Sequence, residues 1–237
     1  MREDEFKIKI VQISETATLV EFGNAINEET NKRVRTFCNY LDDHPFKGFV
    51  EYVPAFTSIS VIYNPLELNY ESPYEEVKEL LEEMLCHVDF SKVYEENVVN
   101  IPVCYGGEFG PDIEYVAEIN NLTVEEVIKI HSEGKYLVYM VGFAPGFPYL
   151  GGMLEQISAP RRESPRIAIP EGSVGIAGMQ TGVYPIETPG GWQLIGRTPI
   201  KMFKLDRQPQ SILKAGDIAR FYPISYDEYM KLKEEEY

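Results

Sequence analysis

Apolar and polar positions follow two different rhythms along this chain, and the rhythm changes near its middle. Residues 6–13 (FKIKIVQI) largely alternate, which is the period of a half-buried strand, and Thr18–Phe22 reads as a second strand. Val34, Phe37, Cys38 and Leu41 then recur at i, i+3, i+4 and i+7, one face of a helix. Phe49–Val53 and Thr57–Tyr63 predict two further strands. Ser72-Pro73-Tyr74-Glu75 predicts a helix start, with Ser as N-cap, Pro in the first turn and Glu closing a capping box. The stripe that follows carries Val77, Leu80, Leu81, Met84, Leu85 and Val88. Residues 1–92 therefore predict a small ββαββα domain of α+β class. Its His44 and His87 fall at or near helix ends, where capping or solvation accounts for them.

A second domain is expected over residues 93–225. Asn97–Tyr105 opens it as a strand, one short helix begins near Pro111-Asp112, and another runs from Thr123-Val124-Glu125-Glu126, a capping box, to Gly134. Tyr136–Phe143 reads as a buried strand. From there the texture breaks up: residues 135–210 hold eleven of the 18 glycines and nine of the 16 prolines. No helical period survives that punctuation. Short apolar runs between turns, at Arg166–Ile169, Val174–Ala177 and Lys201–Phe203, predict a closed or nearly closed β-barrel. The fold class is thus an α+β domain followed by a mostly-β barrel domain. Residues 226–237 read as a short acidic helix or tail.

Charge sharpens this picture. The 237 residues carry a net charge of −16, which repels phosphate backbones and argues against a nucleic-acid partner. Residues 135–210 nevertheless hold eight Lys/Arg and five Asp/Glu, a local net of +3 that leaves −19 for the rest. A basic zone in an acidic protein is a candidate anion site. The three cysteines, Cys38, Cys86 and Cys104, have no paired spacing and read as buried reduced thiols of a cytoplasmic protein. The charged start MREDEFKIKI does not read as a signal peptide, and no apolar run approaches the ~18 residues of a membrane span.

Among motifs, GxxxxGK[ST], GxGxxG, HExxH and GxSxG are absent, and three scattered histidines and cysteines give no metal-ligand spacing. Three strings remain. Gly142-Phe143-Ala144-Pro145-Gly146-Phe147-Pro148-Tyr149-Leu150-Gly151-Gly152 leaves a strand as either a tight barrel connection or a rigid floor of N–H groups and rings for a ligand. Pro160-Arg161-Arg162-Glu163-Ser164-Pro165-Arg166 is either a solvated loop with local pairing to Glu163 or a stiff display of guanidinium forks suited to carboxylate or phosphate. Gln180-Thr181-Gly182-Val183-Tyr184-Pro185, Glu187-Thr188-Pro189-Gly190-Gly191-Trp192 and Gly196-Arg197-Thr198-Pro199 surround the single tryptophan; they are either turns about a core ring or one mouth lined by Gln180, Tyr184 and Arg197. His131 continues the stripe Val124, Val127, Ile128 at i+7, and is either a satisfied core histidine or a base.

Taken in order, GFAPGFPYLGG, PRRESPR and IPEGSVGIAGMQTGVYPIETPGGWQLIGRTP resemble the KipI family, whose members are also called PxpB, the B-type subunit of 5-oxoprolinase, or, in older naming, allophanate hydrolase subunit 1. The resemblance covers the whole second domain. It implies a cyclophilin-like barrel and a partner subunit of related barrel architecture (the KipA type, the C-type subunit of 5-oxoprolinase), the pair being similar to the carboxyltransferase part of urea carboxylase. It also implies a third subunit, and ATP with Mg2+, for opening 5-oxoproline to glutamate; a single subunit is expected to be inactive alone. One member of the family instead inhibits a sensor histidine kinase, the alternative reading. Onto the motif positions fall Pro145, Gly146, Tyr149, Arg161, Arg166, Gln180, Tyr184, Gly190, Gly191, Trp192 and Arg197. As an enzyme site, Arg161, Arg166, Gln180, Trp192, Gly146, Tyr149, Gly190 and Gly191 are expected to bind the anionic substrate, and His131, Tyr184 and Arg197 to serve catalysis. The expectation underneath is that Arg161, Arg166 and Arg197 surround one hollow.

Overall fold

In the computed structural model, which describes residues 8–69, 71–92 and 96–236, the alternating segments pair into a sheet and the punctuated ones close a barrel. The chain divides into two units, Met1–Glu95 and Glu96–Tyr237. The first runs β1 (Lys9–Ser14), β2 (Ala17–Glu21), α1 (Glu28–Asp43), β3 (Phe49–Pro54), β4 (Ser58–Tyr63) and α2 (Pro73–His87). Its antiparallel sheet has the order β1-β2-β4-β3. Alternation on β4 buries Ile59, Val61 and Tyr63, which share a core with Val34, Phe37 and Leu41 of α1 and Val77 and Leu81 of α2. Phe6 and Lys7 of the first expected strand lie outside the described residues.

Two local expectations fail in the fold. Ser72 stands at the N-cap of α2 with Pro73 at N1, but its side chain makes no cap hydrogen bond and Glu75 closes no box. Glu76 reaches back instead, its carboxylate accepting the N–H of Asn69. Cys86 is exposed, whereas Cys38 and Cys104 are buried. The ring nitrogens Nδ1 of His44 and His87 sit 3.1 and 2.8 Å from the carbonyls of Tyr40 and Glu83, one turn back in their helices.

The second unit contains β5 (Val98–Tyr105), α3 (Ile113–Ile119), α4 (Val124–Glu133), β6 (Tyr136–Val141), β7 (Pro148–Gly151), β8 (Arg166–Ile169), β9 (Ser173–Ala177), β10 (Gln180–Val183), β11 (Thr188–Gly190), β12 (Gln193–Arg197), β13 (Ile218–Pro223) and α5 (Tyr226–Glu236). Seven strands close a barrel in the order β10-β7-β6-β13-β5-β12-β9, antiparallel except for β5 with β13. β8 and β11 form a separate two-stranded sheet. Ile101, Val103, Val138, Leu150, Val174, Ile176 and Phe221 fill the core, and α4 packs on β13. Lys201–Phe203 is not a strand; Phe203 makes one isolated bridge to Ser211. The segment is held by Arg207, whose guanidinium donates to the carbonyls of Lys201, Met202 and Gln210, so side-chain bonds replace a ladder there. The C-terminal residues form a true helix, anchored by buried Tyr229 against Phe109 at 4.3 Å between ring centroids. Among the described residues no helix is long and apolar enough to cross a membrane.

Candidate functional site: an arginine clasp over an aromatic cluster

The proline-bracketed arginine loop is fastened at both ends to the segment of residues 190–193 that carries Trp192, where β11 leads into β12. The N–H of Arg162 donates to the Gly191 carbonyl at 2.7 Å, Gln193 Nε2 donates to the Pro160 carbonyl at 2.9 Å, and Arg166 pairs with Gly190 in the β8–β11 ladder. Beneath the loop lies Asp112, the N-cap residue of α3. Its carboxylate makes no cap bond. Oδ1 accepts from Arg166 Nη2 at 2.8 Å and Arg162 Nη1 at 3.1 Å, and Oδ2 accepts the N–H of Leu194 at 2.7 Å. The N–H of Asp112 returns a bond to the Leu194 carbonyl at 2.9 Å. The Asp112 side chain is 7% exposed, against 22% for Arg166 and 37% for Arg162. Two guanidinium groups on one buried carboxylate leave the clasp positive, and Arg161 beside it is exposed.

Under the clasp, Phe147, Ile169, Ala177, Tyr184, Trp192 and Leu194 form a compact cluster. Phe147 meets Trp192, Tyr184 and Tyr149 edge-on at 5.8, 5.7 and 5.2 Å, the geometry that aromatic quadrupoles favour. Glycines let the backbone pass close under these rings: a Cβ on Gly182 would stand 3.1 Å from the indole, and one on Gly190 would stand 2.6 Å from the Tyr184 hydroxyl. Burial pushes the pKa of that hydroxyl up to about 12 against the opposing pull of the Trp192 backbone, Arg161 and Arg166. Tyr184 is therefore a neutral phenol at pH 7, suited to donate a hydrogen bond rather than to take a proton. Phe143, in the preceding loop, is held at φ 71° with 74% of its surface exposed, a left-handed conformation uncommon for an aromatic residue.

The fold thus gathers Arg161, Arg166, Tyr184, Trp192, Gly190 and Gly191, with Tyr149 joined through Phe147. Gly146 turns elsewhere and abuts Met202 and Phe203, while half-buried Gln180 pairs with Ala177 at the β9–β10 turn. Arg197 does not share the hollow expected of it. Trp192 stands just before β12 and Arg197 ends it, so at about 3.3 Å per strand residue the two lie at opposite ends of β12. The Arg197 guanidinium sits 4.9 Å over the Phe109 ring, beside α5.

His131 is separate again. It has no exposed surface. Thr181 Oγ1 donates to the Gly175 carbonyl at 3.1 Å, so His131 Nε2 donates to Thr181 at 2.9 Å and Nδ1 accepts from the Tyr105 hydroxyl at 2.7 Å. The ring stacks on Phe221 at 4.7 Å. Burial lowers its pKa to about 3, so the imidazole is neutral and both nitrogens are used inside the barrel. Asp112 carried no site signal in the sequence, and Arg162 stood only within the arginine string. The Pro111-Asp112 signal pointed to a helix cap, and nothing nearby in the chain betrays that the carboxylate turns to partners 50 and 54 residues away.

An α+β unit followed by this barrel is the architecture of carboxyltransferase proteins: residues 8–213 match the family described as carboxyltransferase domain, subdomain C and D. The chain is 52% identical to the B-type subunit of 5-oxoprolinase from Bacillus subtilis over 97% of its own length and 98% of that relative. It is 41% identical to the corresponding 5-oxoprolinase subunit from Escherichia coli O157:H7 over 89% and 94%. It superposes on the crystal structure of TTHA0988 with a TM-score of 0.77 at 32% identity, covering 88% of this chain but only 40% of that one. The chain belongs to the KipI family, the B-type subunits of 5-oxoprolinase.

Proposed function

We propose that this chain is one subunit of an ATP-dependent 5-oxoprolinase, inactive alone, which acts with a paired barrel subunit and a third subunit to open 5-oxoproline to glutamate. The observation that carries this reading is full-length identity of 52% to a protein named as the B-type subunit of 5-oxoprolinase. The clasp supports it chemically. A substrate with a free carboxylate needs a cationic, partly desolvated contact, and Arg161 with the outward edges of Arg162 and Arg166 offers one above an aromatic floor. Tyr184 supplies a neutral donor for a lactam oxygen.

ATP would activate the lactam carbonyl by phosphorylation. The sequence has no Walker loop. ATP and its Mg2+ are proposed to be shared with a partner chain, and this one recognises and orients the anion. The test mixes the full chain with the two partner subunits and follows 5-oxoproline-dependent ATP hydrolysis and glutamate release. Arg166→Ala is expected to cut turnover of the complex by about a hundredfold, the scale for one preorganised charge donor, while the variant chain stays folded. Full turnover with Arg166→Ala would remove the clasp from the mechanism; no turnover by the wild-type mixture would remove the 5-oxoprolinase reading itself.

A further inference from the structure

The departure of Arg197 from the clasp places it in a cavity of its own, and that cavity is built like an anion site. About 150 Å³ of space lies between the Pro170–Gly172 turn, the end of β12 with Thr198–Lys201, and α5. Three cations line it: Arg197 at the end of β12, Lys201 in the loop that follows, and Lys233 in the last turn of α5. Two carboxylates share the lining, Glu171 and Glu236, and Glu236 is ion-paired with Lys204. The balance is positive.

Two observations point to a missing acceptor. Arg197 spends one face of its guanidinium on Phe109, at 4.9 Å, which leaves its in-plane N–H donors for other partners. One of those donors, Nε–H, is buried without a hydrogen-bond partner, a condition folded proteins avoid unless a ligand or water completes it. Thr198, 2% exposed, accepts the Ile200 N–H on its Oγ1 at 3.3 Å, so its own proton is left to donate. A guanidinium edge, a hydroxyl and an ammonium group around a small volume match the oxygens of one compact anion.

We propose that this pocket binds a small oxyanion, a carboxylate or a phosphate, held between Arg197, Thr198 and Lys233. The inference stands apart from the oxoprolinase reading, because it concerns equilibrium binding by the full chain alone. The experiment titrates the purified chain with acetate in one arm and inorganic phosphate in the other, following heat and the shift in thermal midpoint. Saturable binding of at least one anion at millimolar concentration is expected, with the arm that saturates first naming the source. Lys233→Met, at a half-buried position of α5, is expected to weaken that binding about tenfold while the circular dichroism stays unchanged. Arg197→Met is expected to abolish it, and Arg197→Lys to restore part, because an ammonium keeps charge but loses the fork. Absence of saturable binding in both arms below about 10 mM, or equal binding by a folded Lys233→Met chain, overturns the proposal.

Discussion

Two polar groups of the barrel domain make an instructive pair. His131 and Asp112 are both buried, and both hold side chains brought from far along the sequence. Every polar atom of the His131 ring is spent inside the core, on Tyr105 and Thr181. Asp112 instead spends one carboxylate oxygen on the buried Leu194 N–H and the other on Arg162 and Arg166, which are partly exposed. A network closed on itself holds a fold together; one that ends at the surface presents charge outward. The difference separates a buried histidine network from an outward-facing arginine loop more sharply than residue type does.

The largest effect should come from the closed network. His131→Ala removes two buried bonds and opens a cavity, and is expected to lower unfolding stability by about 3–5 kcal/mol in urea titrations. A loss under about 1 kcal/mol would show that the network does not hold the barrel. Next in size, Asp112→Ala leaves two guanidinium groups without their carboxylate and the Leu194 N–H without its acceptor; about 3 kcal/mol is expected, by the same titration. If the variant is as stable as wild type, the clasp is ornament.

pH probes the closed network further. The His131 imidazole protonates near 6.5 in the unfolded chain but only near 3 when folded. Its contribution is therefore fully present above pH 6.5 and fades as pH falls toward 3, by up to about 1.4 kcal/mol per unit. Between pH 7 and 5 wild type should lose about 2 kcal/mol more stability than His131→Phe; parallel curves would contradict the buried neutral ring. The smallest effect is expected at Arg162, more than a third exposed: Arg162→Ala should cost no more than about 1 kcal/mol, and a larger loss would mean the clasp is as closed as the histidine network.

What sequence patterning made legible is what neighbours decide. Periodicity placed the strands and helices of the first unit, because alternation and the 3.6-residue stripe act within one element. The Thr123 capping box formed as expected, with Thr123 accepting from the Glu126 N–H and Glu126 accepting from the Thr123 N–H. Ser72 carried the same signature and made no such bond, its helix start being held from Asn69 through Glu76. Glycine and proline density announced a barrel, since it forbids long helices. The motif strings marked Arg161, Arg166, Tyr184 and Trp192, which the fold does assemble.

Partnership across the barrel belonged to tertiary structure alone. Leu194 meets Asp112 across 82 positions, and His131 meets Thr181 across 50. No local period encodes such distances, because they are set by strand order and register once the sheet has closed. For the same reason the linear proximity of Trp192 and Arg197 misled: Trp192 precedes β12 and Arg197 ends it, and only the closed barrel decided which neighbours each would keep.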